Sequence, residues 1–282
     1  MSGKFSGVLL ASDFDNTLVY TEGSMASGCA MPTISRANCD ALEYFMAQGG
    51  TVSIATGRAL PAFDAVRKGI PMNGPTILFN GAAIYDYSRG CYLYAAFLPE
   101  NIRPRVEQVL RAFPDAACEI FHDDSVVHAL QYNQLTFHHE TLTHAPTQKV
   151  TSMDEVPSPI SKALFEIQAQ RLLALAAYVR SQPWAGEYEI IPSSNYLLEL
   201  TAKGANKGGM VHKLASMLHI VPQNIYCVGD HANDIPMLEI SHIPFAPANA
   251  IESVRSLPGL HLLPDCRADA IAAMIQELDT LY

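Results

Sequence analysis

The sequence predicts an α/β fold, in which both ends of the chain form a parallel β-sheet core and an α+β segment is inserted between them. Two observations predict it. Short apolar runs alternate with amphipathic helical stretches over residues 8–79, and this alternation resumes after about residue 204. Strands of a parallel sheet are covered on both faces, so they have continuous apolar runs. Alternating strands and helices are typical of a parallel sheet with right-handed crossovers.

The first strand is the apolar run 8–11, which leads into Asp13 and Asp15. A loop rich in small residues follows over 18–32, and its length predicts a flap beside these two carboxylates. Gly49 ends the next helix, as glycine commonly does. The further elements of this part are a helix over 35–48, a strand over 51–55, a helix over 59–68 and a strand over 76–79.

The pattern changes after Asn80 and Gly81, where the runs 82–86 and 92–97 predict two paired strands. From 99 to 192 the sequence predicts a mixture of helices and strands without βα alternation. Residues 196–200 are either the last strand of this region or the return to the core. The core then resumes with a helix over 207–219, a strand over 224–228, a helix over 234–240, a strand over 243–246 and helices over 250–257 and 268–281.

Composition limits the partners and the compartment. The chain has 282 residues, of which 49% are hydrophobic, and a formal net charge of −10. An acidic chain lacks the electrostatic footprint of a nucleic-acid binder, and no apolar run approaches the ~20 residues needed to cross a bilayer. The first strand begins so early that a signal peptide has no room, and the six cysteines show no C-x-x-C pairing. We therefore expect a cytoplasmic protein with reduced thiols and no nucleic-acid or membrane partner.

Charged and hydroxyl side chains stand at the ends of the predicted core elements. Asp13 and Asp15 follow the first strand, Thr56 follows the second, Asp230 follows a later strand, and Lys207 begins a helix. Open α/β sheets bind their ligands at the carboxyl ends of the strands. Two carboxylates one residue apart repel each other unless a cation lies between them, so they predict a divalent ion, and oxygen ligands favour Mg²⁺. A lysine at a helix start opposes the helix dipole, so we expect its charge to serve the site. This set of groups suits phosphoryl transfer through a carboxylate nucleophile.

Four segments resemble motifs I to IV of the haloacid dehalogenase (HAD) superfamily: Asp13-Phe14-Asp15-Asn16-Thr17-Leu18, Thr56-Gly57-Arg58, Lys207-Gly208 and Gly229-Asp230-x-x-Asn233-Asp234. The resemblance is closest to the Cof-type branch, class IIB, in which an α+β cap is inserted between motifs II and III. The segment Asn80-Gly81-Ala82, just before the insertion, also resembles that branch.

The resemblance implies catalytic roles for Asp13, Asp15 and Lys207. Asp13 would be the nucleophile that becomes phosphorylated. Asp15 would be the general acid for the leaving oxygen and then the general base for water. Lys207 would screen the charge of Asp13 and hold a phosphate oxygen.

The same resemblance implies the binding residues. Mg²⁺ would be bound by Asp13, by the backbone carbonyl of Asp15 and by Asp230, with Asp234 supporting the ion through water or through bonds to its ligands. Thr56 would hold phosphate oxygens together with Lys207. The other residues expected to bind substrate or phosphate are Gly57, Arg58, Asn80 and Asn233.

The resemblance also implies domain boundaries and an activity. We expect a Rossmann-like catalytic core over 1–85 and 195–282, with an α+β cap of the C2B type over 86–194. The expected activity is Mg²⁺-dependent hydrolysis of small phosphorylated metabolites, with sugar phosphates leading, by a monomer or weak homo-oligomer. One alternative is a sugar phosphomutase of the same superfamily. The other is a non-catalytic phospho-switch, although the acid/base position of Asp15 and the large insertion count against it.

The insertion contains three histidines that could in principle bind zinc. His138, His139 and His144 lack an H-x-x-x-H pattern on a convincing helix. We therefore predict surface histidines at these three positions.

Overall fold

The computed structural model describes residues 3–21, 33–122, 124, 126–143 and 145–282. Most of the predicted flap, residues 22–32, lies outside the described residues, and so does His144. The elements in chain order are β1 (Leu9–Ser12), α1 (Arg36–Ala47), β2 (Thr51–Ile54), α2 (Leu60–Asp64), β3 (Thr76–Leu78), β4 (Ala83–Asp86), β5 (Cys91–Ala95), α3 (Ile102–Ala112), β6 (Ala117–Phe121), β7 (Val127–Leu130), α4 (Gln134–Thr143), β8 (Thr147–Val150), β9 (Lys162–Glu166), α5 (Ala169–Arg180), β10 (Tyr188–Pro192), β11 (Leu197–Ala202), α6 (Lys207–Met217), β12 (Ile225–Val228), α7 (Ile235–Glu239), β13 (Ile243–Pro247), α8 (Glu252–Arg255), β14 (His261–Leu263) and α9 (Ala270–Asp279).

Both ends of the chain contribute to one five-stranded sheet of order β14-β13-β12-β1-β2, in which every pair is parallel. Every residue of β1 is buried, as the continuous apolar run predicts. Ala55 forms a parallel bridge to Ile77, so β3 lies beside β2 and begins the antiparallel sheet β3-β4-β5. The predicted α/β fold with a parallel core is confirmed.

Three core elements differ from the sequence prediction. Helix α2 ends at Asp64 and the chain continues in turns towards Gly69, which has a positive φ of 85°. Helix α8 is also shorter than predicted, with only four residues. Strand β14 was not predicted because its three residues are too few to show a periodic pattern.

The inserted segment forms a mixed six-stranded sheet of order β10-β11-β9-β6-β7-β8, in which only β7 and β8 run parallel. Helices α3 and α5 pack on one face, where Cys118 and Ile120 of β6 join their apolar side chains. Residues alternate in direction along a strand, so Glu119 and Phe121 point to the opposite face. Helix α4 contacts β6 there through His139 and Glu119. The predicted α+β cap is confirmed.

The open question about residues 196–200 is answered by β11, which lies within the cap sheet between β10 and β9. At the other boundary, β5 pairs with β4 and not with the cap sheet, whereas Leu98 bridges Ile160 of the cap. We therefore propose that the insertion runs over about 97–202 instead of 86–194.

The cap lies against the core at the edge where β2 and β3 end. The rings of Phe79 and Phe121 have their centroids 6.0 Å apart, and Lys162 Nζ donates to the Gly57 carbonyl at 3.3 Å. Across the part of the chain that the structure describes, no helix has the length and apolar character to span a membrane.

Candidate active site

Asp13 and Asp230 lie side by side because they follow two neighbouring parallel strands. Strand β1 pairs with β12 in register, with Ser12 opposite Val228, and the Asp13 amide donates to the Val228 carbonyl at 2.9 Å. A further hydrogen bond joins the two loops, from Thr17 Oγ1 to Asp230 Oδ1 at 3.0 Å. Motifs I and IV therefore meet at the carboxyl edge of the sheet.

Lys207 is the first residue of α6, and its side chain is fully buried. Its Nζ donates to Asp13 Oδ1 at 2.5 Å and to Asp234 Oδ1 at 2.6 Å. Burial alone would lower the pKa of Lys207, but the charges of Asp13 and Asp234 outweigh it and raise the pKa above its ordinary value. The lysine is thus a fixed cation between two carboxylates. Gly208 makes this position possible, since a Cβ there would lie 2.2 Å from the Pro236 carbonyl oxygen of the α7 helix.

Asp13, Asp230 and Asp234 form a buried group whose carboxylate oxygens lie within 4.8 Å of one another. Burial and the charge of Asp234 raise the pKa of Asp13 to about 7. Burial and the charge of Asp13 raise the pKa of Asp230 to about 9. Lys207 supplies one positive charge beside three buried carboxylates, so the donor set fits a divalent cation with oxygen ligands.

Asp234 differs from the other two carboxylates because its oxygens are already engaged by the protein. Oδ1 accepts from Lys207, and Oδ2 accepts from the amides of Asp230 and His231, each at 3.0 Å. Asp234 is therefore suited to hold Lys207 and the loop of Asp230 in place. Its predicted support of a metal ion stays a prediction.

Asp15 has a partner that the sequence did not indicate. Arg58 Nε donates to Asp15 Oδ2 at 2.9 Å and Nη2 donates to Asp15 Oδ1 at 2.7 Å. The Arg58 amide donates to Thr56 Oγ1 at 3.1 Å. The guanidinium of Arg58 thus binds Asp15 in this structure, and its predicted contact with substrate or phosphate stays a prediction.

Asn80, Gly57 and Asn233 meet at the same edge. Asn233 Nδ2 donates to Asn80 Oδ1 at 2.9 Å. Asn80 has a positive φ of 55°, a conformation that asparagine tolerates better than most residues. A Cβ at Gly57 would lie 2.9 Å from Asn80 Nδ2. Among the described residues, Asn80 Nδ2 has no hydrogen-bond partner although it is buried, so it can donate to a ligand.

The cap contributes Lys162 and Glu199, which the sequence did not indicate. Lys162 Nζ lies 3.0 Å from Glu199 Oε2, and both side chains are nearly fully buried. The same ammonium lies 4.5 Å from the centroid of the Phe121 ring and contacts Gly57 of motif II. Nothing in the local sequence marks these two residues, because they stand on different strands of the cap.

One of the predicted surface histidines is not on the surface. His138 is exposed, but the His139 side chain is only 14% exposed and its Nδ1 lies 2.7 Å from Glu119 Oε2. The prediction for His139 is therefore wrong. The reason is that α4 packs on the cap sheet and turns this residue, but not its neighbour, towards β6.

Comparison with known proteins agrees with the motifs. A family model described as haloacid dehalogenase-like hydrolase matches residues 10–275. The HMP-PP phosphatase of Yersinia pseudotuberculosis is 28% identical over 268 residues, which cover 94% of this chain and 92% of the relative. A phosphatase of the haloalkanoate (HAD) superfamily from Bacteroides thetaiotaomicron has the same fold, with a TM-score of 0.80 and 20% identity over 99% of this chain and 97% of that one.

A HAD subclass IIB sugar phosphatase also superimposes, with a TM-score of 0.78 and 21% identity over 96% of this chain and 99% of the other. At that identity the match shows the fold, which is a parallel core with an inserted mixed-sheet cap. The family model spans nearly the whole chain, including all four motifs. The chain therefore belongs to the haloacid dehalogenase-like hydrolases, and it has the subclass IIB fold.

Proposed function

We propose that this chain is a Mg²⁺-dependent phosphatase that hydrolyses small phosphorylated metabolites, with sugar phosphates as the first substrate class. The observation that carries the proposal is the buried Lys207 ammonium, bonded to both Asp13 and Asp234 with Asp230 beside them. Such a group combines a carboxylate nucleophile, a fixed cation and an oxygen-rich place for a metal ion.

In the proposed reaction, an oxygen of Asp13 attacks phosphorus. A bond forms between that oxygen and phosphorus, while the bond from phosphorus to the leaving oxygen breaks. Asp15 donates a proton to the leaving oxygen. Water then attacks the aspartyl phosphate, Asp15 takes its proton, and the phosphorus–Asp13 bond breaks to release phosphate. Lys207 holds Asp13 in place and, together with Thr56, binds phosphate oxygens.

Asp13, Asp230 and the backbone carbonyl of Asp15 are proposed to hold the Mg²⁺, with Asp234 supporting them. A bound Mg²⁺ would draw the phosphate towards the buried carboxylates and neutralise charge that develops on its oxygens. The fit rests on the donor set, since these ligands are oxygens and two of the carboxylates have raised pKa values without an ion.

The cap is proposed to close the site and to contact the leaving group. Lys162 and Glu199 lie on the cap face that points towards motif II, so they are the first candidates for that contact. A closed cap excludes water and large substrates. We therefore expect small metabolites as substrates and not phosphoproteins.

The experiment is a screen of phosphorylated metabolites for release of inorganic phosphate, with and without Mg²⁺. The panel includes sugar phosphates, pyridoxal phosphate, nucleotides and HMP-PP, the last because one relative is an HMP-PP phosphatase. Release that requires Mg²⁺ and is absent from Asp13→Asn supports the proposal. A requirement for a bisphosphate activator would instead support a phosphomutase. Stable phosphorylation of the protein without turnover would support a phospho-switch.

The compartment and the oligomeric state expected from the sequence are part of the same proposal. We propose a cytoplasmic enzyme that acts as a monomer or weak homo-oligomer. Gel filtration with light scattering would measure its oligomeric state.

A further inference from the structure

The cap contains a second buried group of acidic and imidazole side chains, separate from the catalytic carboxylates. It consists of Glu119 on β6, His139 on α4 and Glu166 on β9. One ligand atom from each residue lies within 4.8 Å of the other two. Neither the proposed hydrolysis nor the packing of the cap requires two carboxylates and an imidazole at this place.

The two carboxylates are almost completely removed from water. The side chain of Glu119 is 2% exposed and that of Glu166 is not exposed. The His139 ring is 14% exposed, so the group can be reached from solvent along the side of this ring.

His139 stands between the two carboxylates. Its Nδ1 lies 2.7 Å from Glu119 Oε2 and 3.7 Å from Glu166 Oε1. The first distance is a hydrogen bond, whereas the second is too long for one. The imidazole is therefore hydrogen-bonded to Glu119 and not to Glu166.

Glu166 is the unusual member of the group. Thr136 lies beside its carboxylate, but neither oxygen has a donor in hydrogen-bonding geometry among the residues that the structure describes. A buried ionised carboxylate without such partners is costly. The nearby Lys162 ammonium forms an ion pair with Glu199 and donates a hydrogen bond to the Gly57 carbonyl.

We propose that Glu119, His139 and Glu166 form a binding site for a divalent transition-metal ion of the Zn²⁺ type in the cap. One imidazole nitrogen and two carboxylate oxygens are donors that Zn²⁺ binds at about 2.0–2.2 Å. The imidazole distinguishes this group from the all-oxygen set around Asp13, since imidazole suits Zn²⁺ and other transition metals whereas Mg²⁺ prefers oxygen. A fourth position would be open to water.

The ion would connect three elements of the cap. Its ligands come from β6, β9 and α4, and α4 packs on the face of the sheet opposite α3 and α5. Binding would therefore fix α4 to the sheet and stabilise the folded chain. A ligand that binds only the folded chain stabilises it by mass action. Once free zinc exceeds the Kd of the site, we expect each further tenfold increase in its concentration to raise Tm by on the order of 3 °C.

The test measures zinc bound to the full-length protein. The chain is treated with a chelator, dialysed against Zn²⁺ in the presence of excess Mg²⁺, and analysed for metal per chain together with Tm. We expect the wild type to hold one more zinc ion than His139→Asn and Glu166→Gln, and these two variants to lack the additional rise in Tm that the wild type shows. His138→Asn is the matched control, since this histidine is exposed on the same helix and its variant should keep the zinc.

The outcomes separate this site from the catalytic one. Zinc that is lost in Asp230→Asn but kept in Glu166→Gln belongs to the catalytic carboxylates and overturns the proposal. Equal zinc content in the wild type and both cap variants also overturns it, as does the absence of bound zinc. If His139→Asn fails to fold, Glu166→Gln decides, because it keeps the size of the side chain. Absence of zinc from the cap would not contradict the proposed phosphatase activity, since that activity is tested with Mg²⁺ alone.

Discussion

Arg58 binds Asp15 through two hydrogen bonds, from Nε to Oδ2 at 2.9 Å and from Nη2 to Oδ1 at 2.7 Å. The planar guanidinium matches a carboxylate in this two-bond arrangement, which fixes direction as well as distance. Asp15 is 33% exposed and Arg58 only 12%, so the arginine is the more rigidly placed partner. Because Asp15 is the proposed general acid and base, Arg58 controls where its carboxyl group points.

We predict that Arg58→Met lowers kcat by roughly 10²-fold, since misplacing a catalytic group by about 1 Å costs that much. Arg58→Lys should retain more activity, because it keeps the charge but loses the two-bond geometry. Steady-state kinetics on the best substrate of the screen measure the effect, with the exposed Arg36→Met as control. If Arg58 binds substrate instead, KM will rise while kcat stays near the wild-type value.

The sequence predicted the core of the fold because β1, β2 and β12 are short apolar runs that lead into Asp13, Thr56 and Asp230. It also predicted that Asp13, Lys207 and Asp230 meet, since strand ends of a parallel sheet share one edge. In the structure Lys207 bonds to Asp13, and carboxylate oxygens of Asp13 and Asp230 lie within 4.8 Å of each other. Short elements such as β14 were missed, because a strand of three residues has no periodic signal.

The pairs that the sequence did not predict join residues on different elements. Arg58 and Asp15 are 43 residues apart, and Lys162 meets Glu199 only because two strands of the cap place them on the same face. Strand alternation places Glu119 on the face opposite Ile120. It does not show that α4 will bring His139 to it. Such pairs depend on how separate elements pack together, and local sequence patterns do not show that packing.

Lys207→Met should destabilise the chain by about 3–5 kcal/mol, because removal of a buried cation leaves Asp13 and Asp234 as uncompensated buried charges. Activity should fall to background. Urea denaturation of the metal-free protein measures the loss of stability. The matched control is Lys203→Met, whose ammonium pairs with Glu189 but is 65% exposed, and it should change stability by less than about 1 kcal/mol. Equal stability of the two variants would contradict the assigned role of Lys207.

Asp13→Asn should abolish turnover without lowering stability. Burial and the charge of Asp234 raise the pKa of Asp13 to about 7 in the folded chain, from 3.8. Ionisation of Asp13 therefore lowers stability progressively between these two pH values, and the full cost is present above pH 7. The amide removes this charge, and the metal-free variant at pH 8 should melt at the wild-type temperature or above it. Thermal unfolding and phosphate release are measured on the same preparation. A variant that still hydrolyses phosphate esters would show that Asp13 is not the nucleophile.

Removal of the metal should inactivate the enzyme reversibly. Chelator treatment should abolish phosphate release, and Mg²⁺ should restore it. Ca²⁺ should restore little, because its larger and looser shell of ligands does not hold the octahedral geometry of Mg²⁺. The measurement is activity during titration of each ion into the chelated protein. Undiminished activity after exhaustive chelation would refute the roles proposed for Asp13 and Asp230.

Lys162→Met should change which substrates the enzyme prefers more than it changes the chemistry at Asp13. The Lys162 ammonium forms an ion pair with Glu199 and donates to the Gly57 carbonyl, so the variant loses both a cap charge and a contact between the cap and motif II. We expect KM for the preferred sugar phosphate to rise by roughly tenfold, which corresponds to one charge-assisted hydrogen bond of about 1.4 kcal/mol. Hydrolysis of p-nitrophenyl phosphate, whose leaving group has no hydroxyls for the cap to bind, should fall less. Lys149→Met is the control, since this lysine lies on the exposed strand β8. Equal losses for both substrates would place Lys162 outside substrate selection and assign it to cap closure alone.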